Sequence, residues 1–289
     1  MFAPKKQTTG EFTMMTFFNK FFSLPKELWN SRRLIWKLSK NDFKTRYAGS
    51  YLGIIWAFVQ PVITILVYWL VFEKGFSAKA EMFKSGVEVP FVVYLTSGLV
   101  PWFFFSEAVT HTTNALIEYN YLVKKVVFKI SILPLIKIIA ACFIHVFFVG
   151  VLLVIYFIYG YSFTPHLIQL IYYSFCMFVL VLALSYTFCS VVVFFRDLSQ
   201  IVAIALQIGM WATPIMWSVT RMEGTVFEPL FKLNPLYYIV NGYRQSLFGQ
   251  TWFFQDWKMT LYFWSVTIVL FIFGTVVFKR LKPHFADVL

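Results

Sequence analysis

The sequence predicts an all-α integral membrane protein: six transmembrane helices, an N-terminal amphipathic interfacial helix before them, and re-entrant half-helices between the last two spans. Composition is the first observation. Of 289 residues, 60% are hydrophobic and 13% charged, whereas a soluble domain is about half apolar and a quarter charged. Apolar stretches near the ~20 residues that cross ~30 Å of hydrocarbon recur along the chain. A membrane β-barrel would instead show ~10-residue alternating segments. Third, the basic residues cluster on one set of connections, as the orientation rule for helical membrane proteins requires.

The N-terminal segment, residues 1–50, reads as a cytoplasmic unit ahead of a transmembrane unit at 51–289. From Ser23 to Arg46, Phe17, Phe21, Leu24, Leu28, Ile35 and Leu38 continue one helical face, and Lys26, Arg33, Lys37, Lys40 and Lys44 form another. Ser23 and Pro25 are start signals. Such a helix lies in the membrane interface; packing of a cytoplasmic helix on a soluble partner is the alternative. The segment has no apolar core with a small-residue cleavage site, so it is not read as a signal peptide.

Spans are expected at 52–72, 90–110, 132–159, 167–194, 200–219 and 259–279. Lys and Arg collect in the N-terminal segment, at Lys124, Lys125, Lys129 and Lys137, at Arg196, and at Lys279, Arg280 and Lys282. Both termini are therefore expected in the cytoplasm. The net charge of +12 follows from this topology and from anionic inner-leaflet lipid rather than from nucleic acid. Residues 221–257 are too polar to cross and too aromatic for an ordinary loop. Pro229, Asn234-Pro235 and Gly242 divide this stretch into two short pieces, read as half-helices that dip back and are buried in protein. A flat cap outside the membrane is the other reading.

Enzymatic chemistry finds no support. No GxxxxGK[ST] phosphate loop, HExxH, GxSxG or paired-carboxylate motif occurs, so no catalytic residue and no metal site is assigned. Cys142, Cys176 and Cys189 fall in apolar stretches without metal spacing and read as packing residues. His145, inside a span, reads as a hydrogen-bonded packing histidine, and Glu107 as a snorkelling or salt-bridged acid.

Four ordered stretches then carry a resemblance. They are NDFKTRYAGSYLGIIWAFVQPVITILVYWLVF; VPFVVYLTSGLVPWFFFSEAV with LVKKVVFKISILPL; FFRDLSQIVAIALQIGMWATPIMW; and LNPLYYIVNGYRQSLFG with the terminal HFADVL. Together they resemble the membrane subunit of type-2 ABC exporters of lipid-linked cell-surface polymers, including O-antigen, capsule and wall teichoic acid. The likeness runs from about residue 26 to the end. Lys129 stands where that family often has proline, so the motif does not fix the start of the third span.

The resemblance implies a bacterial plasma-membrane permease working as a homodimer with two separate ATPase subunits that bind ATP and Mg. The chain itself would hold no cofactor. Its substrate would be an undecaprenyl-linked teichoic acid or O-antigen-like (lipopolysaccharide) glycan, with a slight lean to teichoic acid. A small-molecule efflux permease and a non-transporting membrane scaffold remain alternatives. Lys44, Arg46 and Tyr47 are candidates for receiving the lipid headgroup, because guanidinium suits phosphate; anchoring to inner-leaflet phospholipid is the other reading of Arg46. Trp56, Gln60, Tyr68, Trp102, Phe103, Trp211, Trp217, Tyr237 and Tyr238 are candidates for the conduit wall. Glu118, Tyr119, Asn120 and Tyr121 match the coupling segment to the ATPase. Arg196 and Asp197 form a second contact or a local ion pair. Asn234, Pro235 and Arg244 would gate the exit, with Arg244 facing a departing anion or pairing with Glu223 or Glu228.

Overall fold

The computed structural model describes residues 28–78, 81–83, 85–125, 128–219, 224–225 and 227–289. The helix start expected at Ser23 and Pro25, and Glu223, lie outside them. Five described segments are long and apolar enough to cross a membrane: Gly53–Gly75, Phe91–Thr113, Ile130–Ile158, Pro165–Val191 and Trp257–Val288. The protein is an all-α membrane protein, with one two-stranded antiparallel hairpin among the described residues, Glu81–Met82 with Glu88–Val89.

Helix α1 (Arg32–Arg46) buries Ile35, Ser39 and Asp42 on one stripe, while Arg33, Lys37, Lys40 and Lys44 are exposed. The amphipathic reading of these residues thus matches the face that packs. Its contact is α6 (Leu133–Ile158), where Phe143 receives Trp36 and Phe43 at ring centroid distances of 5.4 and 5.5 Å. Ser39, small and buried, lets the backbones approach; its hydroxyl donates to the Ile35 carbonyl at 2.8 Å.

After a turn with Gly49 at φ +89° and Gly53 at φ +52°, a 3-10 turn (Gly53–Ile55) leads into α2 (Trp56–Trp69), which closes in a π-helical turn, Leu70–Gly75. Only Ala57 and Ile65 of α2 are buried. Helix α3 (Phe91–Thr113) is the opposite case, covered along most of its length, as an all-round apolar helix should be. It packs against α6, α7 (Gln169–Val191) and α10 (Pro235–Arg244). Two short helical turns follow, α4 (Ala115–Glu118) and α5 (Asn120–Val123). Lys129, at the position where proline was looked for, precedes a 3-10 turn, Ile130–Ile132, that opens α6.

The fifth expected span differs from its sequence reading. Helix α8 (Leu198–Ala212) ends at Ala212, and Thr213 is extended. Its 15 residues rise about 22 Å, so α8 is shorter than each of the five long apolar segments. Helix α9 (Glu228–Lys232) and α10 are the two expected short pieces. Asn234 caps α10 by accepting from the Leu236 N–H at 3.0 Å, and Pro235 at the first position needs no partner there. A further π-helical turn, Gln245–Gly249, ends the segment. Helix α11 (Trp257–Leu281), capped by Asp256, leads to α12 (Phe285–Val288). Phe285 is buried, with Phe278 at 5.6 Å and Phe194 at 6.1 Å, which brings the tail back to the α7–α8 turn.

Helices α7 and α11 form the most extensive helix pair, and a glycine explains how. A Cβ on Gly274 would lie 2.7 Å from the Ala183 carbonyl oxygen and 2.9 Å from Thr187 Oγ1; small residues permit such approach in membranes. Backbone cannot step aside, so Gly274→Ala is expected to destabilise by about 1–3 kcal/mol, seen as a lower thermal midpoint of purified protein. Gly150→Ala, with nothing within 4 Å, should not lower it.

Candidate functional site

Two polar centres sit at opposite ends of α3. From Tyr94 to Glu107 the helix rises about 20 Å, and each end gathers charges that the low-dielectric interior would not accept unpaired.

At the Glu107 end, Asp42 is the hub. Its Oδ2 accepts from Arg46 Nη2 at 2.9 Å, and its Oδ1 from Lys137 Nζ at 2.5 Å and from the Tyr119 hydroxyl at 2.7 Å. Arg46 Nη1 donates onward to Glu107 at 2.7 Å, and Lys137 to Glu118 at 2.5 Å. Six groups from α1, α3, α4, α6 and the α4–α5 turn thus form one network. Burial alone would raise the Asp42 carboxyl; the Lys137 and Tyr119 hydrogen bonds and the Lys137 and Arg46 charges outweigh it and hold it below its ordinary value of 3.8. Burial and the Asp42 acceptor push the Tyr119 hydroxyl upward, so it stays a donor.

The sequence did not single out Asp42. A signal existed: it is the one acid between Arg32 and Arg46, four residues before Arg46, the spacing at which opposite charges meet on a helix. Glu107 is salt-bridged, one of the two roles foreseen for it. Arg46 has both terminal nitrogens engaged, while Lys44 is exposed and Tyr47 half-buried against Phe43. In the coupling segment Glu118, Asn120 and Tyr121 are exposed. Arg196 and Asp197 are exposed too, and among the described residues no ion pair joins them. Ser199 at the start of α8 donates to Asn114 at 2.8 Å, so the two surfaces lie at the same end.

At the Tyr94 end, Arg244 is buried and donates to the carbonyls of Pro214 and Ile215, both at 2.6 Å, with its guanidinium 3.6 Å from the Tyr94 ring centroid. Asn234 donates to Thr213 Oγ1 at 2.9 Å. Helix α10 therefore holds the unwound stretch after α8 from both of its own ends. Of the two acids expected for Arg244, Glu228 pairs with Lys232 at 2.6 Å, and Glu223 lies outside the described residues.

The conduit candidates divide into three groups. Trp56, Gln60 and Trp211 are exposed on α2 and α8, and Tyr68 reaches Met210 Sδ at 3.9 Å between them. Trp102 and Tyr238 are core residues: Trp102 lies behind Gly209, and Tyr238 stacks on Phe263 and bonds Tyr172 and Thr260. Phe103 packs on Phe148, and Trp217 donates to the Trp211 carbonyl. Tyr237 faces a cavity at the Tyr94 end. His145 bonds Ser174 and Tyr243, each at 3.1 Å, as a packing histidine should.

Residues 33–248 match the family described as ABC-2 type transporter. The chain belongs to that family of membrane transport subunits. It is also 27% identical over 265 residues to the O-antigen export system permease protein RfbA of Myxococcus xanthus, covering 91% of this chain and 98% of that one. A Klebsiella pneumoniae protein of the same name is 28% identical over 258 residues, covering 87% and 93%. These alignments span both the Asp42 hub and the Arg244 clamp.

Asp42→Asn should cost about 3–5 kcal/mol, as breaking a buried pair does, read as a lower unfolding midpoint and faster proteolysis within 32–46. Glu118→Gln, whose carboxylate is about half exposed, should cost under about 1 kcal/mol. Equal losses would contradict the hub. A depressed carboxyl contributes fully above its unfolded value and is lost as pH falls through the folded one. The part of α1 protection that Asp42 supplies should therefore be present above its ordinary value of 3.8 and be lost as pH falls below it.

Proposed function

We propose that this chain is the permease subunit of an ATP-driven exporter that carries an undecaprenyl-linked, O-antigen-like polysaccharide from the cytoplasmic face across the bacterial plasma membrane. Its near end-to-end similarity to two O-antigen export permeases carries the reading and favours a polysaccharide over teichoic acid. Two copies of the chain work with two ATPase subunits, which bind ATP and Mg. Both termini are cytoplasmic. Helix α1 lies in the inner interface, and α8 with the unwound stretch after it makes the fifth of six crossings. The α9 and α10 pieces are re-entrant from the outside.

The conduit lies along α2 and α8, between protomers. Gln60 and Gln207 are exposed on these otherwise apolar helices, and among the described residues neither side chain makes a hydrogen bond. Lipid would leave those amides unsatisfied, whereas a second copy or a hydrated glycan supplies partners. Trp56, Trp211 and Tyr68 line the same seam; Trp102, Phe103 and Trp217 back it, while Tyr238 sits against α7 and α11.

Lys44 and Tyr47 receive the pyrophosphate headgroup, and Arg46 holds the helix that presents them. Glu118, Asn120, Tyr121, Arg196 and Asp197 form the exposed seat for the ATPase. Motion of that seat passes through Glu118, Lys137, Asp42 and Arg46 to Glu107 on α3. At the far end, Asn234, Pro235 and Arg244 hold the exit.

Depletion of the protein in its host should make finished, undecaprenyl-linked glycan accumulate on the cytoplasmic side while surface glycan falls. Unchanged glycan in both places would overturn the reading.

A further inference from the structure

Helix α10 borders a cavity of about 290 Å³ at the Tyr94 end of the molecule. Its lining brings together parts of α10, α3, the unwound stretch after α8 and the loop before α11, including Tyr94, Tyr237, Asn241, Gln245, Trp252 and Asp256. The volume sits at the small end of the range for ligand sites, about 300–1,000 Å³. It suits one or two small polar units and not a folded segment.

Most polar groups around this cavity are already occupied. The two terminal Arg244 nitrogens serve the Pro214 and Ile215 carbonyls, and the guanidinium lies over the Tyr94 ring. Gln245 Oε1 accepts from Thr251 at 3.0 Å, and Asp256 caps α11. Trp252 stacks on Phe254 and meets His166 at a tilt. Two residues stand apart. Among the described residues, Tyr237 makes no side-chain hydrogen bond and no ring contact, and the Asn241 amide makes no hydrogen bond, yet both line the cavity.

Tyr237 and Asn241 are four residues apart on α10 and so share one face. That face offers an aromatic ring and a hydroxyl one turn from an amide that both donates and accepts. This combination recognises a sugar: the ring packs on a C–H face while the amide bonds neighbouring hydroxyls. We propose that this cavity is a saccharide-binding site, one per protomer, that holds one or two units of the glycan on the side away from the ATPase seat. The identity of the ligand rests on the polysaccharide-export reading; the site itself does not.

The test uses the full chain in lipid nanodiscs prepared without glycoside detergent, whose sugar headgroup would compete. Saturation-transfer NMR is recorded with mannose, rhamnose, N-acetylglucosamine and glucuronic acid. At least one should bind saturably, and Asn241→Ala and Tyr237→Ala should each weaken it at least about fivefold, the worth of one lost hydrogen bond or contact. Tyr237→Phe, which keeps the ring and the fold, should weaken it less than Tyr237→Ala. Ile171→Ala, an exposed position elsewhere, should leave it unchanged.

Binding by none of the four sugars, or binding equal in wild type and both alanine variants, would overturn the proposal. Displacement of the sugar by a glycolipid doped into the nanodisc would assign the site to a membrane headgroup and overturn its assignment to a passing chain. Sugar binding in a protein whose depletion leaves surface glycan intact would sink the export reading and leave the site standing. Lost surface glycan without sugar binding would do the reverse.

Discussion

A carboxylate on a strongly basic helix has to find its neutralising charges inside the protein once that helix is packed, and Asp42 finds three donors from three different segments. Because Arg46 and Lys137 each carry on to a second acid, no member can be moved alone without leaving a buried charge exposed to low dielectric. The position of α1 against α6 follows from this, and so does the placement of the α4–α5 turn beneath α3. Hydrophobic contacts such as Trp36 and Phe43 on Phe143 add area, but apolar contacts tolerate sliding. The ion network does not.

The other end of α3 solves a backbone problem with the same economy. Where α8 stops at Ala212, the carbonyls of Pro214 and Ile215 lose their helical partners, and unpaired carbonyls are not tolerated away from water. Arg244 satisfies both, and Asn234 meets Thr213. Gly242 makes the geometry reachable, since a Cβ there would fall 2.1 Å from the Tyr173 ring. One short helix thereby fixes an unwound segment and leaves Tyr237 and Asn241 free to face a cavity.

Much of this was legible in the sequence, because the signals are local. Apolar length marked five spans, the basic stripe marked the exposed face of α1, and Asn234-Pro235 marked the start of α10. The end of α8 was only half legible: Pro214 pushes Thr213 into extended backbone, but Pro61 and Pro101 sit inside helices, and it is the distant Arg244 that satisfies the carbonyls of the unwound stretch. Among the candidate functional residues, the resemblance picked out a turn around Tyr121 that is exposed, but sequence pattern could not tell that Tyr238 and Trp102 are internal while Tyr237 is not. Side chains one residue apart on α10 face different surroundings, and long-range packing on α7 chooses between them. Asp42 escaped notice for a related reason. Beyond Arg46 on its own helix, its partners Tyr119 and Lys137 are 77 and 95 residues away.

In the proposed exporter the network carries motion from the ATPase-facing turn to α3, and the decisive measurement is glycan translocated per ATP hydrolysed in reconstituted vesicles. The paired variant Asp42→Asn with Lys137→Met removes the link while Arg46 keeps Glu107 and Glu118 keeps its solvent. Assembly with the ATPase and hydrolysis should persist while glycan moved per ATP falls by about tenfold. An unchanged ratio would show that the motion takes another route and would contradict the account.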